Sequence, residues 1–89
     1  MCKRPWYVYL ARCRDGSLYA GITTDLERRI EEHNHSSKGA RYTRARRPVT
    51  LAYWEICGDR AAASRREHAL KQLSRKAKQS LVSRYEGNL

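Results

Sequence analysis

Five side chains in this chain could do chemistry together: Tyr9, Tyr19, Arg29, His33 and Glu67. The tyrosines sit in two short apolar strings, Tyr7-Val8-Tyr9 and Tyr19-Ala20-Gly21, on either side of an Asp15-Gly16 turn. A helical segment carrying Arg29 and His33 follows directly. A phenol can hold or pass a proton, a guanidinium can grip two phosphate oxygens, and an imidazole can do either near neutral pH. Such a grouping in a strongly basic chain points to phosphate chemistry, where charge alone would point only to phosphate binding.

The charge is large for the length. Among 89 residues, 19 Lys and Arg face 9 Asp and Glu, for a net +10. Arg outnumbers Lys 14 to 5, which favours bidentate contact with phosphate oxygens over point-charge attraction. The cations cluster. Between His33 and Trp54 there is no acid, while Lys38, Arg41, Arg44, Arg46 and Arg47 crowd in with Tyr42 among them. Residues 60–84 hold eight cations, Lys71 included, and only Glu67 in opposition. A polyanion is the expected partner, with nucleic acid the commonest one. Lys38, Arg41, Tyr42, Arg44, Arg46, Arg47 and Lys71 are the candidate contacts. The plainer reading is a basic face kept for solubility.

Three cysteines, Cys2, Cys13 and Cys57, form no disulfide framework, and with His33, His35 and His68 they match no zinc-site spacing. Free thiols in a reducing cytosol are expected. No apolar run is long enough for a signal peptide or a membrane span.

One domain is expected over residues 1–89, with a core at about 5–82. A chain this short buries only roughly 60–65% of its unfolded surface, so each apolar position matters. Residues 6–13 and 18–22 read as strands around the turn, and 49–57 as a third. Residues 24–34 read as a helix opened by a capping box, Thr24-Asp25-Leu26-Glu27. A short helical turn is expected within 40–46, ended by Pro48. Asp59 caps a helix over 60–73 and Ser74 one over 75–84, with 86–89 frayed. The fold class is therefore α/β in the α+β sense: a small, mostly antiparallel three-stranded sheet flanked by helices, in the order β-β-α-(short α)-β-α-α.

Periodicity sorts the side chains. At about 100° per residue, Leu26, Ile30, Arg29 and His33 fall within one arc of the first helix. Arg28 points to solvent with Glu27, Glu31 and Glu32. Arg29 at a buried edge needs a partner, either a structural carboxylate or a ligand. In the third helix Ala62, Ala63, Ala69, Leu70 and Leu73 form the apolar stripe, and Glu67 lies on its margin. That single acid suits a lone metal ligand, or a salt bridge to Arg66 or Lys71. Arg66 lies nearer the stripe's middle, unexplained. The strands add a condition, because side chains alternate across a sheet. A two-residue Asp15-Gly16 loop would put Tyr9 and Tyr19 on opposite faces. A three-residue loop, Asp15-Gly16-Ser17, would pair Cys13 with Tyr19 and put both tyrosines on one face.

These residues resemble the GIY-YIG nuclease superfamily. Tyr7-Val8-Tyr9 is similar to its first motif and Tyr19-Ala20-Gly21 to its second. The helix signature Asp25-Leu26-Glu27-Arg28-Arg29, followed by His33, and Arg66-Glu67-x-x-Leu70-Lys71 come at the family's spacing. The likeness spans residues 5–82 and is closest to small stand-alone bacterial members. Tyr7 stands where glycine is usual, Ala20 where a larger aliphatic is common, and the late asparagine of some homing members has no clear equivalent. The resemblance implies a DNA endonuclease acting in repair or processing. It implies one Mg²⁺ or Mn²⁺ held by Glu67, Arg29 neutralising the phosphate, and a tyrosine, preferably Tyr19, taking the proton of the attacking water. Tyr9 would orient that tyrosine or the water, and His33 would assist proton transfer or bind phosphate. The partner implied is DNA (branched, damaged or non-specific), with a further protein for targeting. The alternative is a non-catalytic nucleic-acid-binding module on the same fold. A small ribosome-associated or RNA-binding protein would account for the charge but not for Glu67.

Overall fold

The computed structural model describes residues 5–36, 38 and 41–87, with the side chains of 85–87 excepted. Cys2 and residues 88–89 of the expected frayed tail lie outside the described residues. The elements are β1 (Trp6–Arg12), β2 (Leu18–Thr23), α1 (Leu26–His35), α2 (Arg41–Arg44), β3 (Thr50–Cys57), α3 (Arg60–Gln72) and α4 (Arg75–Gly87). The order is the one the sequence pattern predicts. The last helix continues through Gly87, past the expected end at residue 84.

The three strands form one antiparallel sheet in the order β2-β1-β3. The strand bearing Tyr9 is thus central and donates its alternate residues to two different layers. Val8 and Leu10, both fully buried, meet Ala20 and Ala52 beneath Leu70 of α3 and Val82 of α4. Tyr9, Ala11 and Cys13 face the other way and pack with Val49, Tyr19, Leu26 and Ile30, the last two from α1. Each fully buried aliphatic contributes about 1.5–3 kcal/mol, which in so small a core makes both layers indispensable. A register shift between Leu10 and Ala11 in the β1–β3 ladder lets Ala52 face the α3 side.

The helix faces agree with their periodicity in the main. Arg28 is exposed and Arg29 half-buried. In α3 the buried stripe narrows to Ala63 and Leu70, with Ala62 and Leu73 at its edges; Ala69, expected inside, is exposed. The caps of the last two helices are as read from the sequence: Asp59 accepts the Ala62 N–H at 2.8 Å and Ser74 Oγ that of Ala77 at 3.1 Å. The cap of α1 is shifted by one. Asp25, not Thr24, is the N-cap, accepting the Arg28 N–H at 3.0 Å, while the Thr23 hydroxyl takes the Asp25 N–H at 3.1 Å. With Asp25 as cap the third helical position is Arg28, so no capping box forms and Glu27 stays in solvent.

Candidate active site

The hairpin turn decides which face the tyrosines share. Gly16 has φ 86°, its N–H donates to the Cys13 carbonyl, and the Cys13 N–H donates to the Ser17 carbonyl. The loop is therefore Arg14-Asp15-Gly16, one residue earlier than the expected Asp15-Gly16-Ser17. Its last position needs a positive φ, which glycine alone supplies cheaply. The Asp15 carboxylate pins the return strand by accepting the Ser17 N–H at 3.0 Å and hydroxyl at 2.6 Å. These bonds, and then the Arg46 guanidinium at 3.1 Å, hold its carboxyl below the usual aspartate range. Ala11 consequently pairs with Tyr19, where Cys13 was expected, and Tyr9 pairs with Gly21. The change is an even number of residues, so Tyr9 and Tyr19 lie on one face.

Gly21 is the hollow opposite Tyr9. A Cβ built there would meet the Tyr9 hydroxyl oxygen at 2.5 Å and the adjoining ring carbon at 2.7 Å. The phenol lies across the missing side chain and points at α1. There His33, wholly buried, meets it: the Tyr9 hydroxyl and His33 Nε2 are 2.8 Å apart. The other ring nitrogen, Nδ1, is 2.9 Å from Oγ1 of the buried Thr43 on α2. Tyr9, His33 and Thr43 thus form a line of three hydrogen-bonding groups in which each hydroxyl can donate or accept. Tyr19 closes the other side of the imidazole, edge to face at 5.5 Å, and stacks on Tyr42 at 6.0 Å. The Arg46 guanidinium lies 3.9 Å from the centre of the Tyr42 ring.

Burial pushes the Tyr9 phenol up to about 12, although the neighbouring Arg29 pulls it down. Burial also pushes His33 down to about 4, and there the Arg29 charge acts in the same direction. At neutral pH the pair is a protonated phenol and an uncharged imidazole. Arg29 reaches this pair from its half-buried edge while Nη1 bonds Glu32 at 3.0 Å and the Lys38 carbonyl at 2.9 Å. The structural partner of Arg29 is therefore Glu32, which turns toward Arg29 and is not a purely outer-face residue.

Glu67 stands within electrostatic reach, since its charge is among the groups that raise the Tyr9 phenol. Its carboxylate is 24% exposed and lies 3.8 Å from Lys71, a loose pair of little energetic weight. Arg66 does not hold it. Arg66 makes a bidentate contact with Glu55 on β3, through Nε at 2.9 Å and Nη2 at 2.9 Å, and Tyr53 donates its hydroxyl to the same carboxylate. This accounts for an arginine in the apolar stripe: it ties α3 to the sheet and leaves Glu67 to other work. Among the described residues no three His, Cys, Asp or Glu side chains gather as a metal cluster.

The expected nucleic-acid contacts divide. Lys38, Arg41, Arg44 and Lys71 are exposed, and Tyr42 is 41% exposed. Arg46 lies over Tyr42 and also bonds Asp15. Arg47 turns inward instead: Nε donates to the His33 carbonyl, and Nη2 to the carbonyls of Ser36 at 2.6 Å and Glu32 at 3.5 Å. It closes the C-terminal end of α1 and has the least freedom of the loop cations to meet phosphate. Asn34 makes a second tie, with Nδ2 and Oδ1 bonded to the Val49 carbonyl and N–H at 2.8 and 2.6 Å. Thr43 and these ties were not singled out from the sequence, and Gly21 entered only as part of the Tyr19-Ala20-Gly21 string, without its place against Tyr9. A lone threonine in a cationic loop carries no periodic signal.

The GIY-YIG catalytic domain family matches residues 5–80. A UPF0213 protein from Desulfotalea psychrophila is 60% identical over 81 residues, covering 91% of this chain and 74% of its own. Two solution NMR structures are similar. One is a UPF0213 protein from Bacillus halodurans, at 47% identity and TM-score 0.56, covering 89% of this chain and 83% of that one. The other is a protein from E. faecalis, at 41% identity and TM-score 0.60, covering 93% and 88%. With the paired tyrosines, the helix-borne Arg29 and His33 and the Glu67 carboxylate all inside the matched span, the chain belongs to the GIY-YIG catalytic domain family as a small UPF0213-type member, with the fold of a nuclease superfamily.

Proposed function

We propose that the protein is a divalent-metal-dependent endonuclease that hydrolyses DNA phosphodiester bonds in repair or processing. The observation that carries this reading is the buried Tyr9–His33 hydrogen bond at 2.8 Å, with Tyr19 against the imidazole and the charges of Arg29 and Glu67 felt at the phenol. A site for holding phosphate alone has no need of two phenols and a neutral imidazole out of water.

Glu67 is the residue to hold Mg²⁺ or Mn²⁺. A single part-exposed carboxylate fits a hard cation that keeps most of its waters, and the loose Lys71 contact does not close it off. When bound, the ion supplies charge neutralisation at the phosphate and a more acidic water. The side chains do the rest. Arg29 faces the charge that develops on the non-bridging oxygens. Tyr9, protonated with its phenol near 12, is a poor base and serves to position. Tyr19 is then the group that takes the proton from the attacking water. His33, held neutral, fixes Tyr9 and passes a proton without adding charge. The exposed cations Lys38, Arg41, Arg44 and Lys71 hold the DNA backbone. No helix among the described residues is long and apolar enough to cross a membrane. We assign the protein to the cytoplasm, acting on branched or damaged DNA with a protein partner for targeting.

The test is incubation of supercoiled and branched DNA with Mg²⁺, Mn²⁺ or EDTA, beside Glu67→Ala and Arg29→Ala. Nicking by the wild type with metal and not with EDTA is expected, with each variant slower by about 10²–10³-fold. Binding by all three proteins without nicking of any substrate refutes hydrolysis and leaves a binding module. Cleavage that survives Glu67→Ala refutes the metal assignment.

A further inference from the structure

A concavity of about 260 Å³ lies beside the tyrosine cluster, lined by Ser17, Leu18, Tyr42, Arg75 and Lys78. Three separate segments meet there: the hairpin, α2 and the first turn of α4. Arg75 reaches across to the turn, close enough that a Cβ on Gly16 would stand 3.7 Å from its Nη2. Among the described residues the side chains of Arg75 and Lys78 have no hydrogen-bond or ion-pair partner. The carboxylate of the turn, Asp15, is already taken up by Ser17 and Arg46. Local electrostatics oppose this arrangement. Arg75 and Lys78 are like charges three apart on one helix, and a cation in the first turn meets the positive end of the helix dipole. Two cations that share the wall of a cleft, with no carboxylate among its lining residues to answer them, suit an anion. Tyr42 links the cleft to the cluster, since its ring stacks on Tyr19.

We infer that this cleft seats a second phosphodiester of the bound DNA strand, next to the phosphate at the reacting cluster, gripped by Arg75 and Lys78 with the Tyr42 edge as its wall. The inference rests on the reading of Tyr9, Tyr19, Arg29 and His33 as the site that handles a DNA phosphate. It adds the direction in which the strand leaves that site: past Tyr42, along the hairpin, over the start of α4.

The experiment measures binding of a labelled branched DNA by fluorescence anisotropy in EDTA, over a salt series. Arg75→Ala/Lys78→Ala is compared with Arg65→Ala/Lys76→Ala, which removes two exposed cations that do not line the cleft. The cleft pair is expected to weaken binding about tenfold and to reduce the slope of log affinity against log salt by about two. The control pair is expected to weaken it by less than about threefold. Equal losses in the two pairs, or none in the cleft pair, overturn the proposal. Circular dichroism of each variant separates loss of binding from loss of fold. Binding in EDTA is independent of cleavage, so the two readings fail separately. A protein that binds through the cleft but never nicks DNA refutes the nuclease. One that nicks, yet binds equally well without Arg75 and Lys78, refutes the cleft alone.

Discussion

Gly21 and the Tyr9 phenol share one space, for a Cβ on the glycine would stand 2.5 Å from the hydroxyl oxygen. Gly21→Ala must therefore push the phenol off His33. Overpacking of this kind costs about 1–3 kcal/mol. Urea denaturation should show a lower midpoint with unchanged slope, and cleavage should fall more than stability does. Wild-type activity in Gly21→Ala would mean that the Tyr9–His33 contact is dispensable.

The neutral state of His33 makes stability depend on pH. Its pKa is about 4 when folded and about 6.5 when unfolded, so between these values the unfolded chain binds the extra proton. Stability is then full above pH 6.5 and declines as pH falls towards 4, by about 3 kcal/mol. Tyr9, raised to about 12, has the opposite sign: its contribution is intact below pH 10 and fades between 10 and 12. Urea midpoints across pH 4–7 should slope upwards in the wild type and flatten in His33→Gln. The lowered carboxyls of Asp15 and Glu55 act with the same sign as His33, but only from the ordinary carboxylate range downwards, so the slope above about pH 5 is that of His33.

Tyr9 and Thr43 should be coupled through a ring that touches both. Thr43→Val leaves His33 Nδ1 without its 2.9 Å partner, which costs about 1–3 kcal/mol in a buried site. Tyr9→Phe removes the partner on the other nitrogen. A double-mutant cycle is expected to give a coupling of about 0.5–2 kcal/mol, because losing both ends frees the imidazole that each end alone holds fixed. Strict additivity would show that the line of three groups does not act as one.

Glu55→Gln tests structure apart from chemistry. The Arg66–Glu55 contact is partly solvent-exposed, at 41% and 27%, so its loss should cost only about 1 kcal/mol. Burial opposes ionisation of Glu55, but hydrogen bonds from Arg66 and then Tyr53 hold its carboxyl below the ordinary range. A drop in thermal midpoint without change in cleavage per folded molecule is expected. A large loss of cleavage would instead tie Glu55, through Arg66, to the position of Glu67 on α3.

Much of the fold was legible because its signals are local. The aromatic and β-branched run of residues 6–13, the Asp59 and Ser74 caps, and the stop at Pro48 each rest on a few adjacent residues. The Thr24 cap was misread because three consecutive positions, Thr23, Thr24 and Asp25, all carry suitable oxygens, and only the tertiary path of the chain selects one. The hairpin's parity followed only from the condition that Tyr9 and Tyr19 share a face, and its register was not legible, since Asp15 can anchor a loop on either side of itself. Arg29 and His33 could be placed on one edge by helical spacing. Their partners could not, because Thr43 lies 10 residues beyond His33, on a helix of 4 residues. Arg47 reads as one more cation of a basic loop until the carbonyls it closes are in view.

The central position of β1 bears on how such a sequence can vary. Val8 and Leu10 look towards one layer, and Tyr9 and Ala11 towards the other. Inserting or deleting one residue in β1 would send the aliphatic side chains to the phenol's place and the phenol into the apolar layer. Point replacements in that strand can be graded in effect, but changes of length cannot, whereas the hairpin loop beside it can lengthen by two residues and keep every side chain on its face. Length changes among relatives should therefore accumulate at residues 14–16 and be absent from residues 6–12.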